Sequence, residues 1–261
     1  MTEQSLFLEA ENGGVLTLTL NRSAVHNALN KPLLDALSEK LEAIAPRRDI
    51  RCVIFTGSGD KAFCAGADLK ERKGFTLEQT RGFVRRIRGV MDQIERLPMP
   101  TIAALDGVAF GGGMEMALAC DMRIVSERVN MGLTECALGI IPGAGGTQRL
   151  PLLVGASKAK ELIFTAKRLT AQEALGIGLA NRLTPAGAAL KEAQSLAADI
   201  AKCAPLAVEA AKAAIQGGLG MGMEEGLLLE SRCYDVTLYT EDRVEGLKAF
   251  AEKRAPVYQG K

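Results

Sequence analysis

Three short apolar runs constrain the possible fold of this chain more than any other feature. Cys52–Thr56 (CVIFT) and Thr101–Leu105 (TIAAL) are nearly continuous apolar segments of strand length, and Met122–Val125 reads as a third. Runs without polar alternation suit strands covered on both faces. Helical patterns lie before and between them. Lys31–Ala45 places Leu33, Leu34, Leu37, Leu41 and Ile44 on one face and stops at Pro46. Thr76–Leu97 is a basic amphipathic helix closed by Pro98 and Pro100. Buried strands alternating with helices predict an α/β fold. At the N-terminus, Leu6–Glu9 and Val15–Leu20 flank Glu11-Asn12-Gly13-Gly14, a hairpin signal. No segment repeats itself at a fixed period.

Beyond Thr184 the strand signals give way to helical pattern rich in Ala, Leu, Glu and Lys. The expected organisation is an α/β core over residues 1–195 and a helical subdomain over 196–261, with an amphipathic surface suited to assembly.

Charge and cysteine content narrow the function classes. Lys+Arg 32 against Asp+Glu 31 leaves a formal charge of +1, without the basic excess that phosphate-backbone binding uses. The six cysteines (Cys52, Cys64, Cys120, Cys136, Cys203, Cys233) form no CxxC pair, and His26 is the single histidine, so no metal site is expected. Reduced thiols and an N-terminal stretch, MTEQSLFLEA, without a basic region and apolar core predict a cytoplasmic protein. Thr101–Cys120 is the most membrane-like window, and Asp106 and Glu115 within it argue for a buried segment instead.

The glycine-rich segments do not match known nucleotide cradles. GxxxxGK[ST] is missing, and Gly143-Ala144-Gly145-Gly146-Thr147-Gln148 lacks the last glycine of GxGxxG. Phe63-Cys64-Ala65-Gly66-Ala67-Asp68 and Gly111-Gly112-Gly113 follow buried segments directly. They serve either as tight turns or as facing loops whose backbone N–H groups receive an oxyanion. Glu115 sits in Gly-Gly-Gly-Met-Glu-Met-Ala-Leu-Ala with no charge-bearing neighbour one helical turn away. Glu135 has a similarly apolar setting. Burial and a second carboxylate raise a pKa and equip such groups for proton transfer near neutrality. The structural alternatives are a helix-dipole role for Glu115 and an ion pair from Glu135 to Arg123 or Arg149. His26 has no partner pattern of a catalytic triad.

These residues resemble the crotonase (enoyl-CoA hydratase/isomerase) family over nearly the whole chain. The matching stretches are Asn21-Arg22, Asn27-Ala28-Leu29, Phe63 to Leu69, Asp106-Gly107, Gly111 to Glu115, and Glu135 followed by Ile141 to Leu150. The resemblance implies a ββα spiral core with a C-terminal helical trimerisation subdomain, assembled as a trimer or dimer of trimers. It implies an acyl-CoA substrate and no separate cofactor. Glu115 and Glu135, twenty residues apart as in the hydratases, would be the acid–base pair. The N–H groups of Ala65 and Gly112 would form the oxyanion hole, and Gly143 would orient the second acid. Arg22, Ala24, Val25, Ala67, Asp68 and Leu69 would contact coenzyme A, with Phe250 and Lys253 reaching the coenzyme of a neighbouring subunit.

Within the family the chain most resembles the methylglutaconyl-CoA hydratases, through Phe63 to Arg72, Ala159 to Phe164 and Asp242 to Leu247. That implies interconversion of 3-methylglutaconyl-CoA and 3-hydroxy-3-methylglutaryl-CoA in leucine breakdown. Lys70, Arg72, Lys73, Arg81 and Arg85 are candidate partners for the distal carboxylate of such a substrate. A general short-chain enoyl-CoA hydratase is the alternative. An RNA-binding role, found in some relatives with a lysine-rich first helix, is disfavoured because Asp35, Glu39 and Glu42 interrupt the basic residues here.

Overall fold

The apolar runs form the centre of a six-stranded sheet in a computed structural model that describes residues 5–261; residues 1–4 of the stretch read for a leader lie outside it. In chain order the strands are β1 (Phe7–Asn12), β2 (Val15–Leu20), β3 (Cys52–Gly57), β4 (Ala62–Cys64), β5 (Thr101–Leu105), β6 (Val108–Phe110), β7 (Met122–Ser126), β8 (Asn130–Gly132), β9 (Leu169–Thr170) and β10 (Arg182–Thr184). The helices are α1 (Lys31–Ile44), α2 (Leu69–Arg72), α3 (Leu77–Arg96), α4 (Gly112–Ala119), α5 (Gly146–Val154), α6 (Ala156–Phe164), α7 (Ala171–Gly176), α8 (Ala189–Ala201), α9 (Pro205–Gly218), α10 (Met223–Leu238) and α11 (Glu241–Glu252).

The main sheet runs β1-β2-β3-β5-β7-β10. β1 and β2 are the antiparallel hairpin, turned at Gly13 and Gly14 with φ of 56° and 77°, the left-handed pair a two-residue hairpin turn needs. Every other pairing in this sheet is parallel. Both faces are covered, which explains the continuous apolar runs. Leu16, Leu18, Val53, Phe55 and Ala103 join the helices α1 and α3 in one core. Cys52, Ile54, Ile102, Ala104 and Ile124 meet Ala189, Ala193 and Ala197 of α8 in the other. Alanines at four-residue intervals form a smooth stripe that lets α8 lie close to the sheet.

A second sheet, β4-β6-β8-β9, grows out of the first. β3 leads to β4, β5 to β6 and β7 to β8, each short strand then feeding a loop and helix. The core is thus a repeated ββα unit. None of these four short strands is among the segments that the sequence pattern marks as strand.

Helix α8 runs unbroken through residues 195 and 196, so the core extends to Ala201, past the boundary expected from composition. Helices α9 to α11 follow. Lys212 of α9 anchors them through a 2.8 Å ion pair to Asp121, which also accepts from the Thr101 N–H at 2.7 Å and Gln216 at 3.1 Å. No residue of α10 is buried, and Leu227, Leu228, Tyr234 and Val236 on it are exposed. Among the described residues no helix is long and apolar enough to cross a membrane, and no group of His, Cys, Asp and Glu could hold a metal ion.

Candidate active site

The three ββα units bring their loops to one place, and both acidic residues sit there. Glu115 lies in the first turn of α4, inside a helix every residue of which is buried. Its Oε1 accepts the N–H of Ala144 at 2.7 Å and of Gly146 at 2.9 Å. Burial nevertheless raises its pKa above the ordinary carboxylate value, against the lowering effect of those two bonds and of Arg149 and Arg88. Glu135 opens the 3-10 turn Glu135–Leu138 after β8. Its Oε2 is buried without a hydrogen-bond partner, and a methyl group on Gly111 would come within 3.3 Å of its Oε1. Burial first, and the charge of Glu115 second, push Glu135 up to about 7. The two carboxylates therefore titrate as a coupled pair.

The alternative ion pairs for Glu135 do not form. Arg123 spends its guanidinium on the carbonyls of Leu179, Ala117 and Cys120 at 2.7 to 3.1 Å. Arg149 binds Asp92 at 2.8 Å and Glu95 at 2.7 Å on α3, and donates to the Ala144 carbonyl at 2.9 Å. Arg149 thus clamps the loop that holds Glu115. Gly145 must be glycine here: its φ is 109°, and a Cβ would fall 2.0 Å from an Arg149 nitrogen.

Two corrections to the expected site follow from the hydrogen bonds. The Ala65 N–H is spent on the His26 carbonyl at 3.0 Å, so it does not face a ligand. The neighbouring bridge between Leu29 and Ala67 uses the Gly66 carbonyl and the Asp68 N–H. That leaves the Ala67 N–H without an acceptor among the described residues, as is the Gly112 N–H at the start of α4. The two are neighbours. A Cβ built on Gly112 would lie 3.7 Å from the Ala67 nitrogen, and one on Gly66 would lie 3.4 Å from the Gly112 nitrogen. Gly143 also differs from expectation: its N–H bonds neither acid, and the bonds to Glu115 come from Ala144 and Gly146. What Gly143 meets is Val84, whose Cγ1 would lie 2.6 Å from an added Cβ.

Residues expected to contact coenzyme A are partly gathered. Arg22 pairs with Asp68 at 3.2 Å and also donates to the Ala28 carbonyl, joining the Arg22–Val25 turn to the Ala67–Leu69 stretch. Ala24 and Leu69 are exposed and Val25 is half-buried. Asn27, buried with φ of 55°, donates to the Ser58 and Ala62 carbonyls and holds this turn against β4. Phe250 near the end of α11 and Lys253 just past it are exposed, and among the described residues no hydrogen bond or ion pair links them to the Glu115–Glu135 region. Burial pushes the Cys64 thiol up to about 12, which removes it as a nucleophile. An apolar cavity of about 580 Å³ lined by Leu118, Leu152, Leu196, Val208 and Ile215 includes neither acid.

The raised pKa of Glu135 makes a stability prediction. In the unfolded chain its carboxyl ionises at the ordinary value of 4.5, and in the folded protein at about 7. Folding therefore favours the protonated form; that stability is fully present below 4.5 and lost as pH rises through 7. Glu135→Gln, which carries no charge, is expected to raise Tm relative to the parent at pH 8, with the gain shrinking to nothing by pH 4. A Tm difference independent of pH would refute the assignment of this buried titration.

The sequence is similar to known enzymes throughout. A family profile described as Enoyl-CoA hydratase/isomerase matches residues 10–261. The mitochondrial methylglutaconyl-CoA hydratase of Mus musculus is 46% identical over 257 residues, covering 97% of this chain and 82% of the relative. The corresponding human protein is 45% identical over 257 residues, at 97% and 76% coverage. A crystal structure of an enoyl-CoA hydratase from Bacillus anthracis superposes with a TM-score of 0.97 at 46% identity, covering 98% of this chain and 100% of the other.

Proposed function

Since this chain is a crotonase-fold enzyme that belongs to the enoyl-CoA hydratase/isomerase family, we propose that it adds water reversibly to an α,β-unsaturated acyl-CoA, with 3-methylglutaconyl-CoA as substrate. The observation that carries the reading is the coupled Glu115–Glu135 pair beside two adjacent backbone N–H groups without acceptors. The Ala67 and Gly112 N–H groups receive the thioester oxygen, whose negative charge grows as the enolate forms. Glu115, its Oε1 fixed by two backbone donors, takes a proton from the attacking water with its other oxygen. Glu135, held protonated near neutrality, gives its proton to the α-carbon. In dehydration the same two groups exchange roles. An isomerase moves a proton between carbons and needs only one such group; two coupled acids fit water addition better. The diacid substrate is favoured by the likeness to the methylglutaconyl-CoA hydratases.

The test compares kcat/KM for 3-methylglutaconyl-CoA and crotonyl-CoA. A preference for the diacid thioester of about 10-fold or more is expected, as one charge-assisted contact supplies. A preference for crotonyl-CoA would keep the two-acid mechanism and replace the substrate with a short uncharged enoyl chain. The exposed apolar face of α10 and the cavity beside α9 support a homo-oligomer, a trimer or a dimer of trimers. Six free thiols suit a reducing compartment such as the cytoplasm.

A further inference from the structure

One face of α3 looks across at the loop that holds Glu115, and its contacts define that face at both ends. Val84 packs on Gly143. Asp92 and Glu95 bind Arg149. Arg88 lies midway, four residues after Val84 and four before Asp92, so it stands on the same stripe opposite the Ala144–Gly146 stretch. Residues at this spacing pair as ions on an ordinary helix, but Asp92 is already committed to Arg149. Arg88 meets no carboxylate at ion-pair distance among the described residues, although its neighbour Arg86 binds Asp35. Its guanidinium is exposed, and its charge is felt at Glu115.

A guanidinium on the stripe that faces the Ala144–Gly146 loop, with no protein carboxylate at ion-pair distance, is open to an anion that a substrate brings. Lys70, Lys73, Arg81 and Arg85 are as exposed as Arg88, and Arg85 turns back to donate to the Arg81 carbonyl at 3.4 Å. What distinguishes Arg88 is its place midway between the Val84 contact with Gly143 and the Asp92 contact with Arg149. We propose that Arg88 binds the carboxylate at the far end of the acyl chain and thereby selects a diacid thioester. Its planar fork can give two parallel N–H donors to that carboxylate, which a lysine ammonium does not match. The proposal rests on the hydratase reading above and names the residue that sets its substrate class.

The test measures kcat/KM on 3-methylglutaconyl-CoA and on crotonyl-CoA for the parent enzyme, Arg88→Ala and Arg88→Lys. Arg88→Ala is expected to lower the ratio of diacid to crotonyl activity by about 10-fold or more, the loss of one charge-assisted pair, with Arg88→Lys restoring part of it. Because Arg88 is exposed, both variants fold, which circular dichroism checks. Equal losses on the two substrates would overturn the proposal and place Arg88 on coenzyme A or on Glu115. An unchanged ratio in a parent enzyme that does hydrate the diacid would overturn it while leaving the substrate reading intact. A parent enzyme inactive on the diacid overturns both.

Discussion

Glu115→Gln and Glu135→Gln are each expected to lower kcat/KM for hydration by about 10³-fold or more, within the range a positioned acid or base supplies. The dissociation constant of a saturated acyl-CoA should move by no more than about threefold. The reason lies in how each carboxyl is held. Glutamine at 115 can still accept the Ala144 and Gly146 N–H groups through its amide oxygen, so the loop stays in place. What it loses is the ability to take a proton from water. Glutamine at 135 fills the same buried space next to Gly111 but cannot deliver a proton to carbon. The thioester grip, made by backbone N–H groups, contains neither side chain. Since the two acids act on one water and one double bond, the double variant should be scarcely slower than either single one. Steady-state kinetics with isothermal titration of the saturated ester decides the matter. Turnover within tenfold of the parent in both variants would remove the two-acid mechanism. A large rise in dissociation constant would instead assign the glutamates to binding.

The second large effect is structural. Gly113→Ala is expected to destabilise the fold by about 3–5 kcal/mol, or to prevent soluble expression, because overpacking against backbone cannot relax as side chains do. A Cβ at residue 113 would lie 2.0 Å from the Cys64 carbonyl oxygen and 2.9 Å from the Cys64 Cβ. Both partners are buried, and Cys64 ends β4 next to the Ala65–Asp68 loop. Helix α4 is thus drawn onto β4 as closely as two backbones permit, which brings the Gly112 and Ala67 N–H groups together. Gly82 of α3 is the control. It is exposed, and a Cβ there meets nothing within 4 Å, so Gly82→Ala should stabilise by about 0.5–1 kcal/mol through helix propensity alone. Denaturant midpoints of the two variants test the pair of expectations, and a Gly113→Ala protein as stable as its parent would contradict the close approach.

Much of the main sheet was legible because long elements leave a period. The five residues read as the inner face of the first helix, Leu33, Leu34, Leu37, Leu41 and Ile44, are the buried ones of α1. CVIFT and TIAAL are central strands with both faces covered, and Thr76 caps α3 where the helical pattern was read to begin. The second sheet was not legible. Ala62–Cys64, Val108–Phe110, Asn130–Gly132 and Leu169–Thr170 are two or three residues each, too short for alternation to register against the glycine around them. The importance of Arg88 was hidden as well, since one arginine on a basic helix carries no sign of which loop it faces.

The candidate site divides along the same line. Residue chemistry by itself marked Glu115 and Glu135, each set among apolar neighbours, as candidate acids beside helix-dipole and ion-pair roles, and the glycine-rich loops as either tight turns or close approaches. The family resemblance is what singled out the pair. Apolar sequence neighbours favour burial, and burial raises a carboxylate's pKa. The depth of each acid, the Ala144 and Gly146 N–H groups that bind Glu115 and the nearness of Glu115 to Glu135 are set by the fold. Which N–H groups remain available was decided only by tertiary structure. Ala65 and Ala67 are alanines two residues apart on one loop; the His26 carbonyl, brought in by the buried Asn27 turn, takes the first and leaves the second. A backbone donor has no side chain to announce it, and its availability depends on which distant carbonyl the fold brings to it.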